Sequence, residues 1–122
     1  MDCLFCKIVN EEIPAEILYE DEKVMVFRDI NPQAPFHALV IPRVHIPTLN
    51  DMANEDCELV GYMLKVAGDV AMEHGFAEDG YRTVFNCNKH GGQTVYHIHL
   101  HLLGGKPMGW PPYQETLKTP VD

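Results

Sequence analysis

The chain has 122 residues, of which 46% are hydrophobic, and this length suits one domain with a single core. Its 18 acidic residues outnumber the 9 Lys and Arg residues, so the formal net charge is −9 at pH 7. Because a surface of that sign repels polyanions, DNA, RNA and anionic membranes are excluded as expected partners.

From its N-terminal segment and its lack of long apolar runs, we expect the protein to be soluble and cytoplasmic. Its first residues lack the basic region and long apolar stretch of a secretory signal, and no later apolar run approaches the roughly 20 residues that span a bilayer. Leu4–Val9 has helical spacing of apolar residues and predicts a short helix. In a reducing compartment, the four cysteines are expected to be thiols or metal ligands rather than disulfides.

The next segments predict strands. Ile17–Glu20 and Val24–Arg28 flank a polar turn and indicate a hairpin, and Ala38–Ile41 indicates a third strand that ends at Pro42. The loop from Arg43 to Asp51 then connects this strand to the following helix.

The longest periodic stretch runs from about Glu55 to His74 and predicts a helix. Asn54 suits its N-cap, and Gly75 suits the position after its last turn. Its apolar stripe is wide enough for the sheet and for a second copy of the protein, although ordinary core packing accounts for it too. The positions on or beside this stripe are Leu59, Val60, Met63, Leu64, Val66, Val70 and Ala71.

Two further strands follow the helix. Tyr81–Asn86 predicts the fourth strand, a loop containing Gly91 and Gly92 comes next, and Val95–Leu103 predicts the fifth. The expected fold is α+β, a five-stranded antiparallel meander with one long helix and a short N-terminal helix.

Three histidines alternate along the fifth predicted strand. Side chains of a strand alternate between faces, so His97, His99 and His101 should share one face while the residues between them enter the core. They are either solvent-facing residues of a half-exposed strand or a catalytic set. Imidazole serves near pH 7 both as a neutral nucleophile and as a proton donor, and three such residues in strict alternation favour the catalytic set.

The run His97-Ile98-His99-Leu100-His101-Leu102-Leu103 resembles the signature of the histidine triad superfamily. The likeness extends from about Leu4 to Pro112 and is similar to the nucleotide-binding branch of purine nucleoside phosphoramidases. Segments that carry it include Asp29–Pro35, His37–Pro42, Gly91–Tyr96, Gly104–Gly105 and Trp110–Pro112. The resemblance implies a histidine triad domain over residues 1–112, with 113–122 as a tail, and a homodimer with a continuous ten-stranded sheet.

The resemblance also implies a reaction. His99 is expected to attack the α-phosphorus of an adenosine 5′-phosphoramidate, which gives a covalent nucleotidyl-histidine and an amine before water releases AMP. His101 suits proton donation to the departing nitrogen, and His37 suits holding the triad through hydrogen bonds. No catalytic cofactor is expected, because no carboxylate cluster for magnesium is visible.

The resemblance further implies a nucleotide site. Asp29, with Ile30 beside it, matches the ribose-binding position, while Leu4, Phe5 and Phe27 match the apolar walls around the purine. Gly92, Gln93 and Thr94 match the phosphate loop, and Asn86 matches a residue near the phosphate or leaving group. Each of these also has a purely structural explanation, such as a turn, core packing, a flexible loop or a strand end.

A structural zinc site is the last implied feature. Cys3 and Cys6 lie three residues apart on the predicted helix, hence on one side of it. Family members with this pair are similar in using two histidines as further ligands, here His45 and His97. The alternative is two buried thiols beside an unliganded His45.

The residues by themselves are compatible with three other functions. One is a dinucleoside polyphosphate hydrolase or nucleotidyl transferase of a sister branch. Another is a zinc hydrolase with a metal on His37, His99 and His101, and the third is a non-catalytic module that binds purine nucleotides.

Overall fold

The computed structural model describes residues 2–115 and 117, and its centre is an antiparallel sheet. The bounds of β1 (Ile17–Glu20) and β2 (Val24–Arg28) agree with the predicted hairpin. The remaining strands are β3 (Phe36–Pro42), β4 (Tyr81–Phe85) and β5 (Leu100–Gly104).

The five-stranded antiparallel sheet, the long helix and the short N-terminal helix are confirmed. The strand order is β1-β2-β3-β5-β4, however, so the sheet is not the simple meander that the sequence suggested. β5 inserts between β3 and β4 and pairs with both, which leaves β4 at an edge. In that register His101 lies opposite Leu39 on one side and Val84 on the other.

The two faces of the sheet carry different cores. The long helix α2 (Cys57–Glu73) covers one face with Met63, Val66, Ala67, Val70 and Ala71. The short helix α1 (Leu4–Val9) covers part of the other face, where Phe5 and Ile8 pack against strands β2 and β3. Because β3 is covered on both faces, all seven of its residues are buried and its sequence is almost entirely apolar.

One predicted detail of α2 is wrong. Its entry is a 3₁₀ turn over Asn54–Asp56, in which the Asp56 carboxylate accepts a hydrogen bond from the backbone N–H of Ala53 at 2.8 Å, so Asn54 is not the cap. Leu64, predicted beside the apolar stripe, is 45% exposed. Gly75 does follow the last turn with φ of +85°, as expected.

The segment before β5 differs from the prediction as well. The predicted loop contains a short helix, α3 (Asn88–Gly91), and Val95–His99 is not part of the strand. Ile98 instead donates its backbone N–H to Ile46 O at 2.8 Å, outside the sheet. The alternation nevertheless holds, since Ile98 and Leu100 enter the core below α2 while the histidines face the other way.

The glycines after β5 permit close packing. A Cβ on Gly104 would overlap the ring of Phe76, and one on Gly105 would lie 2.8 Å from Pro35 Cβ. Gly105 also has φ of +99°, where other residues are strained. Bare backbone at these positions lets the end of β5 sit against Phe76 and Pro35.

Three remaining expectations concern the cysteines, membrane-spanning segments and the C-terminal tail. All four cysteines are free thiols. Within the described residues, no helix combines the length and apolar character that crossing a membrane requires. Of the proposed tail, 113–115 and 117 are described, and the rest of the tail lies outside the described residues.

Candidate active site

A cleft of about 250 Å³ opens on the face of the sheet that α1 covers. Its polar lining residues are Arg28, Asp29, Thr94, His99 and His101, and the others are apolar. A cleft that is largely apolar with a few converging polar groups is the usual form of a small-molecule site. Its apolar lining includes Leu4, Phe5, Ile8, Ile13, Pro14, Ala15, Phe27, Ile30, Leu39 and Val95.

His99 presents an acceptor nitrogen to this cleft. Its Nδ1 lies 2.9 Å from the backbone oxygen of His97, and because a carbonyl oxygen only accepts, Nδ1 carries the proton. Nε2 therefore holds a lone pair, and it bonds to no other described residue. Only 6% of His99 is exposed, and burial lowers its pKa by more than the hydrogen bond to His97 and the charge of Asp29 raise it.

His101 is held in the opposite tautomer through His37. The backbone N–H of Gln33 donates to His37 Nδ1 at 2.9 Å, so the proton of His37 is on Nε2. That Nε2–H donates to His101 Nδ1 at 2.9 Å, which leaves the proton of His101 on its own Nε2. The cleft is thus lined by two rings, with centroids 5.0 Å apart, one free to accept at Nε2 and the other free to donate.

The electrostatics keep these rings neutral in the free protein. Burial, followed by the neighbouring His99 and His37, lowers the pKa of His101 to about 4. Burial also lowers the pKa of His37, against the opposing charge of Asp29. A neutral ring is the nucleophilic form of His99, whereas proton donation by His101 requires an added negative charge that favours its protonated form.

Asp29 has a turn-forming contact and also faces the cleft. Its Oδ1 accepts from the backbone N–H of Asn31 at 2.8 Å, and Oδ2 lies 3.4 Å from His37 Nε2. The turn contact is therefore observed, and ribose binding by the same carboxylate stays a prediction. Ile30 is 100% exposed and lies at the rim of the cleft.

The predicted phosphate loop is only partly at the cleft. Thr94 lines it, but Asn86, Gly92 and Gln93 are not among its lining residues. The side chain of Gln93 bonds within the protein in this structure, and its binding to phosphate stays a prediction. Its Nε2 donates to Pro47 O at 2.7 Å and to Val95 O at 3.1 Å, while its Oε1 accepts from Asn88 N–H at 2.9 Å. Gln93 therefore anchors the loop to its surroundings.

The four candidate metal ligands converge below α1. The Nδ1 atoms of His45 and His97 are 3.3 Å apart, and the Cys6 sulfur lies 3.4 Å from the first and 3.5 Å from the second. The Cys3 sulfur is 3.4 Å from His97 Nδ1. Tetrahedral zinc, with bonds of about 2.05 Å to nitrogen and 2.3 Å to sulfur, separates its ligand atoms by about 3.3 to 3.8 Å.

The environment of His97 also suits a metal ligand. Its Nε2–H donates to Pro42 O at 2.7 Å, which leaves a lone pair on Nδ1 facing the cluster. A backbone carbonyl that fixes the tautomer in this way is the usual outer contact of a metal-bound histidine. The residues therefore fit a Cys₂His₂ zinc site, and His97 is 0% exposed and separated from the cleft.

A second group of potential ligands, Asp29, His37 and His101, does not fit a metal equally well. Binding through His37 Nε2 would move its proton to Nδ1, where it would face the backbone N–H of Gln33. Two donors would then oppose each other. This contact disfavours a catalytic metal on His37.

Sequence reasoning missed several residues of the site. Ile8, Ile13, Leu39 and Val95 line the cleft, yet each is an ordinary apolar residue in the sequence. The backbone N–H of Gln33 fixes the tautomer of His37. It has no signature in the sequence, because every residue except proline carries this group.

The chain is similar to known proteins over most of its length. The family model described as "Scavenger mRNA decapping enzyme C-term binding" matches residues 2–110. The chain is 54% identical over 108 residues to the purine nucleoside phosphoramidase of Escherichia coli, covering 88% of this chain and 91% of that protein. It is 53% identical over 111 residues to a 14 kDa zinc-binding protein of Zea mays, covering 89% of this chain and 86% of that protein.

Solved structures agree with these relatives. The crystal structure of a HIT family hydrolase from Legionella pneumophila superposes with a TM-score of 0.90 at 55% identity, covering 92% of this chain and 100% of that chain. A histidine triad protein from Clostridium difficile superposes with a TM-score of 0.88 at 44% identity, covering 93% of this chain and 97% of that chain.

Proposed function

The chain belongs to the histidine triad family, and from that premise we propose that it hydrolyses adenosine 5′-phosphoramidates to AMP and an amine. The observation that carries the proposal is the pair of opposite tautomers at the cleft. His99 offers a lone pair and His101 offers a proton, each fixed by backbone groups through the carbonyl of His97 and the N–H of Gln33. Breaking a P–N bond requires these two functions together.

In the first step His99 Nε2 attacks the α-phosphorus and the P–N bond breaks. The negative charge of the bound phosphate raises the pKa of His101, which takes up a proton from solvent, and the resulting imidazolium gives its Nε2 proton to the departing nitrogen. The products are a nucleotidyl-histidine and a free amine. In the second step water attacks phosphorus, its proton passes to His101, and AMP leaves with His99 restored.

The rest of the cleft suits a purine nucleotide. The rings of Phe5 and Phe27 line it 5.4 Å apart, which suits contact with a flat base. Asp29 lines the same cleft as the histidines, and its carboxylate would accept hydrogen bonds from ribose hydroxyls. Thr94 supplies a neutral donor beside the phosphate.

The cysteine cluster would hold a structural zinc ion through Cys3, Cys6, His45 and His97. Zinc in such a closed site stabilises the fold and leaves no open position for substrate.

Free thiols are the state of cysteines in a reducing compartment, which supports a cytoplasmic location.

We also propose that two copies form the working unit. β4 is an edge strand, and along one side of α2 Gly61, Leu64 and Met72 are exposed and Gly68 is half-buried. The hydroxyl of Tyr81 approaches Gly68, so this exposed face lies beside the β4 edge. Pairing of two β4 strands would continue the sheet to ten strands and cover the apolar helix face.

Mass spectrometry after brief mixing with an adenosine 5′-phosphoramidate tests the reaction. The wild-type protein and the control His74→Ala should carry an adenylyl group on His99. His99→Ala should lack the adduct and lose about 10⁴-fold in kcat, as removal of a nucleophile does, while its affinity for AMP stays within a few-fold of wild type. An unlabelled wild-type protein that still binds AMP would support the binding module instead.

Two further measurements separate the rival enzymes. Faster turnover of diadenosine polyphosphate than of AMP-amine would favour the hydrolase of the sister branch. A kcat at saturating substrate that disappears in a strong chelator would favour the zinc hydrolase, whereas we expect that kcat to persist.

A further inference from the structure

Helix α1 joins the cysteine cluster to the cleft. Cys3 and Cys6 lie at its start and on its first turn, where both sulfurs approach His97. Leu4 and Phe5, the residues between them, line the cleft, as does Ile8 one turn later. The six-residue helix and its N-cap residue Cys3 thus supply two metal ligands and one wall of the nucleotide site.

A helix of this length is unstable by itself in water. Its attachments here are the hydrogen bond of Cys6 N–H to the Cys3 sulfur at 3.3 Å, the packing of Phe5 and Ile8, and the sulfur contacts to the two histidines. The sulfur contacts join α1 to segments about 40 and 90 residues further along the chain. A metal bond across them restrains α1 far more than thiol contacts do.

The cluster also adjoins the reacting side chain. The ring of Phe5 lies between two of the triad histidines, with centroid distances of 6.0 Å to His97 and 5.1 Å to His99. The backbone oxygen of His97 accepts the Nδ1–H of His99. A restraint on α1 and on His97 is therefore passed directly to the base wall and to the ring that meets phosphorus.

We propose, on the basis of the nucleotide site proposed above, that zinc at Cys3, Cys6, His45 and His97 controls nucleotide affinity by fastening α1 over the cleft. Without the metal, α1 opens locally, and Leu4, Phe5 and Ile8 no longer form a fixed wall for the base. The metal site is thus a regulator of binding as well as a support of the fold.

Thermodynamic linkage requires the effects of zinc and AMP on each other's affinity to be reciprocal. If zinc tightens AMP binding by some factor, AMP must tighten zinc binding by the same factor. Coupling between sites of this kind is typically about 5-fold to 150-fold. We expect a value of at least about 5-fold, because three of the apolar residues that line the cleft belong to α1.

The test uses the full chain, loaded with zinc or stripped by a chelator. Calorimetry should show AMP binding at least about 5-fold more tightly to the zinc-loaded protein. Competition with a chromophoric chelator should show the same factor in zinc affinity when AMP is added. Amide hydrogen exchange should show that metal removal exposes residues 4–9 while α2 and the strands stay protected.

Matched variants identify the cluster as the cause. Cys6→Ser should bind AMP weakly even with zinc present, whereas Cys57→Ser, which changes an exposed thiol of α2, should keep the whole zinc effect.

Three outcomes overturn the inference. Equal AMP affinity with and without bound zinc removes the coupling while leaving the proposed reaction intact. Exchange that spreads through the whole sheet on metal removal shows a global fold support and no local fastening of α1. Zinc-loaded protein that binds no AMP at all overturns both the coupling and the proposed function.

Discussion

At the scale of residues, the catalytic character of the cleft depends on where two protons sit. His99 and His101 have the same side chain and lie two residues apart, yet they present opposite hydrogen-bonding groups. The difference comes from backbone atoms, the oxygen of His97 for one ring and the N–H of Gln33, acting through His37, for the other. The neutral rings thus present an acceptor and an N–H donor to the cleft, and the charge of a bound phosphate would turn the donor into an acid.

The titration of His101 is a direct check at this scale. Nuclear magnetic resonance of the ring should give a pKa of about 4 in the free protein, since burial and two neighbouring histidines disfavour its charged form. Adding AMP should raise that pKa by at least about one unit, because the phosphate charge favours imidazolium. The exposed His74 serves as a reference whose signals AMP should leave in place. A ring whose titration ignores AMP would contradict the role of His101 as proton donor.

Much of this site was accessible from the sequence, because the alternation of His97, His99 and His101 with apolar residues is visible in it. The residue types at the cleft and in the cysteine cluster were predicted from the same motif and its resemblance. The tautomers were not, since they depend on which backbone group lies within hydrogen-bonding distance of each nitrogen. The contacts of Gln93 could not be predicted for the same reason. Its side-chain amide donates a hydrogen bond to the backbone oxygen of Pro47, a residue far away in the chain.

At the scale of elements, the junction between β5 and its neighbours decides where the histidines lie. β5 is bonded on both sides from Leu100 onward, while residues 95–99 of the predicted strand lie outside the sheet. Because these residues lie outside the sheet, His97 is buried beneath α1 and His99 lines the cleft. The predicted strand from Val95 was wrong because periodicity shows which face a residue takes, but does not show whether a partner strand is present.

The packing at the end of β5 can be measured through Gly104. Gly104→Ala should lower the free energy of unfolding by about 1 to 3 kcal/mol, because the added methyl group overlaps the buried ring of Phe76. Urea unfolding measures the change. Gly109→Ala is the matched control, since no atom lies within 4 Å of its Cβ, and it should change stability by less than about 0.5 kcal/mol. Equal stability of the two variants would rule out this close contact.

At the scale of the whole molecule, the exposed face of α2 and the free edge of β4 bear on assembly. Met72 is 71% exposed on that face, so Met72→Glu should leave the fold of one copy intact while disrupting a dimer. Sedimentation or light scattering should show wild-type dimers and monomers of the variant. Glu12→Gln, which changes an exposed residue away from α2, should remain dimeric. A monomeric wild-type protein would exclude the proposed ten-stranded sheet.

Stability should also depend on pH in a defined direction. His37 and His101 titrate near 6.5 in the unfolded chain, whereas burial lowers the pKa of His37 in the fold and brings that of His101 to about 4. The unfolded state therefore binds more protons below about pH 6.5, and stability falls there by about 1.4 kcal/mol per pH unit for each ring kept neutral.

The profile has a second part in stronger acid. Burial raises the pKa of Asp21, but hydrogen bonds from Tyr62, Val24 and Tyr19 outweigh it and hold that pKa well below its usual range. Its contribution to stability is present above about pH 3.9 and is lost as the pH falls further. Urea unfolding from pH 8 to pH 3 should show a plateau above pH 6.5, a decline below it and the added loss from Asp21 below about pH 3.9. His101→Asn should have a shallower decline, and a profile that is flat from pH 6.5 to 5 would contradict the neutral buried rings.

The sequence by itself determined the secondary structure of the hairpin and of both main helices, the faces of the histidine segment and the candidate residues of both sites. These features follow from short-range periodicity and from residue chemistry, which the chain carries locally. Only the tertiary structure decided the strand order, the tautomers of the histidines and the contact of α1 with both the cleft and the cysteine cluster. They arise from atoms tens of residues apart, whose meeting depends on how the sheet and helices pack.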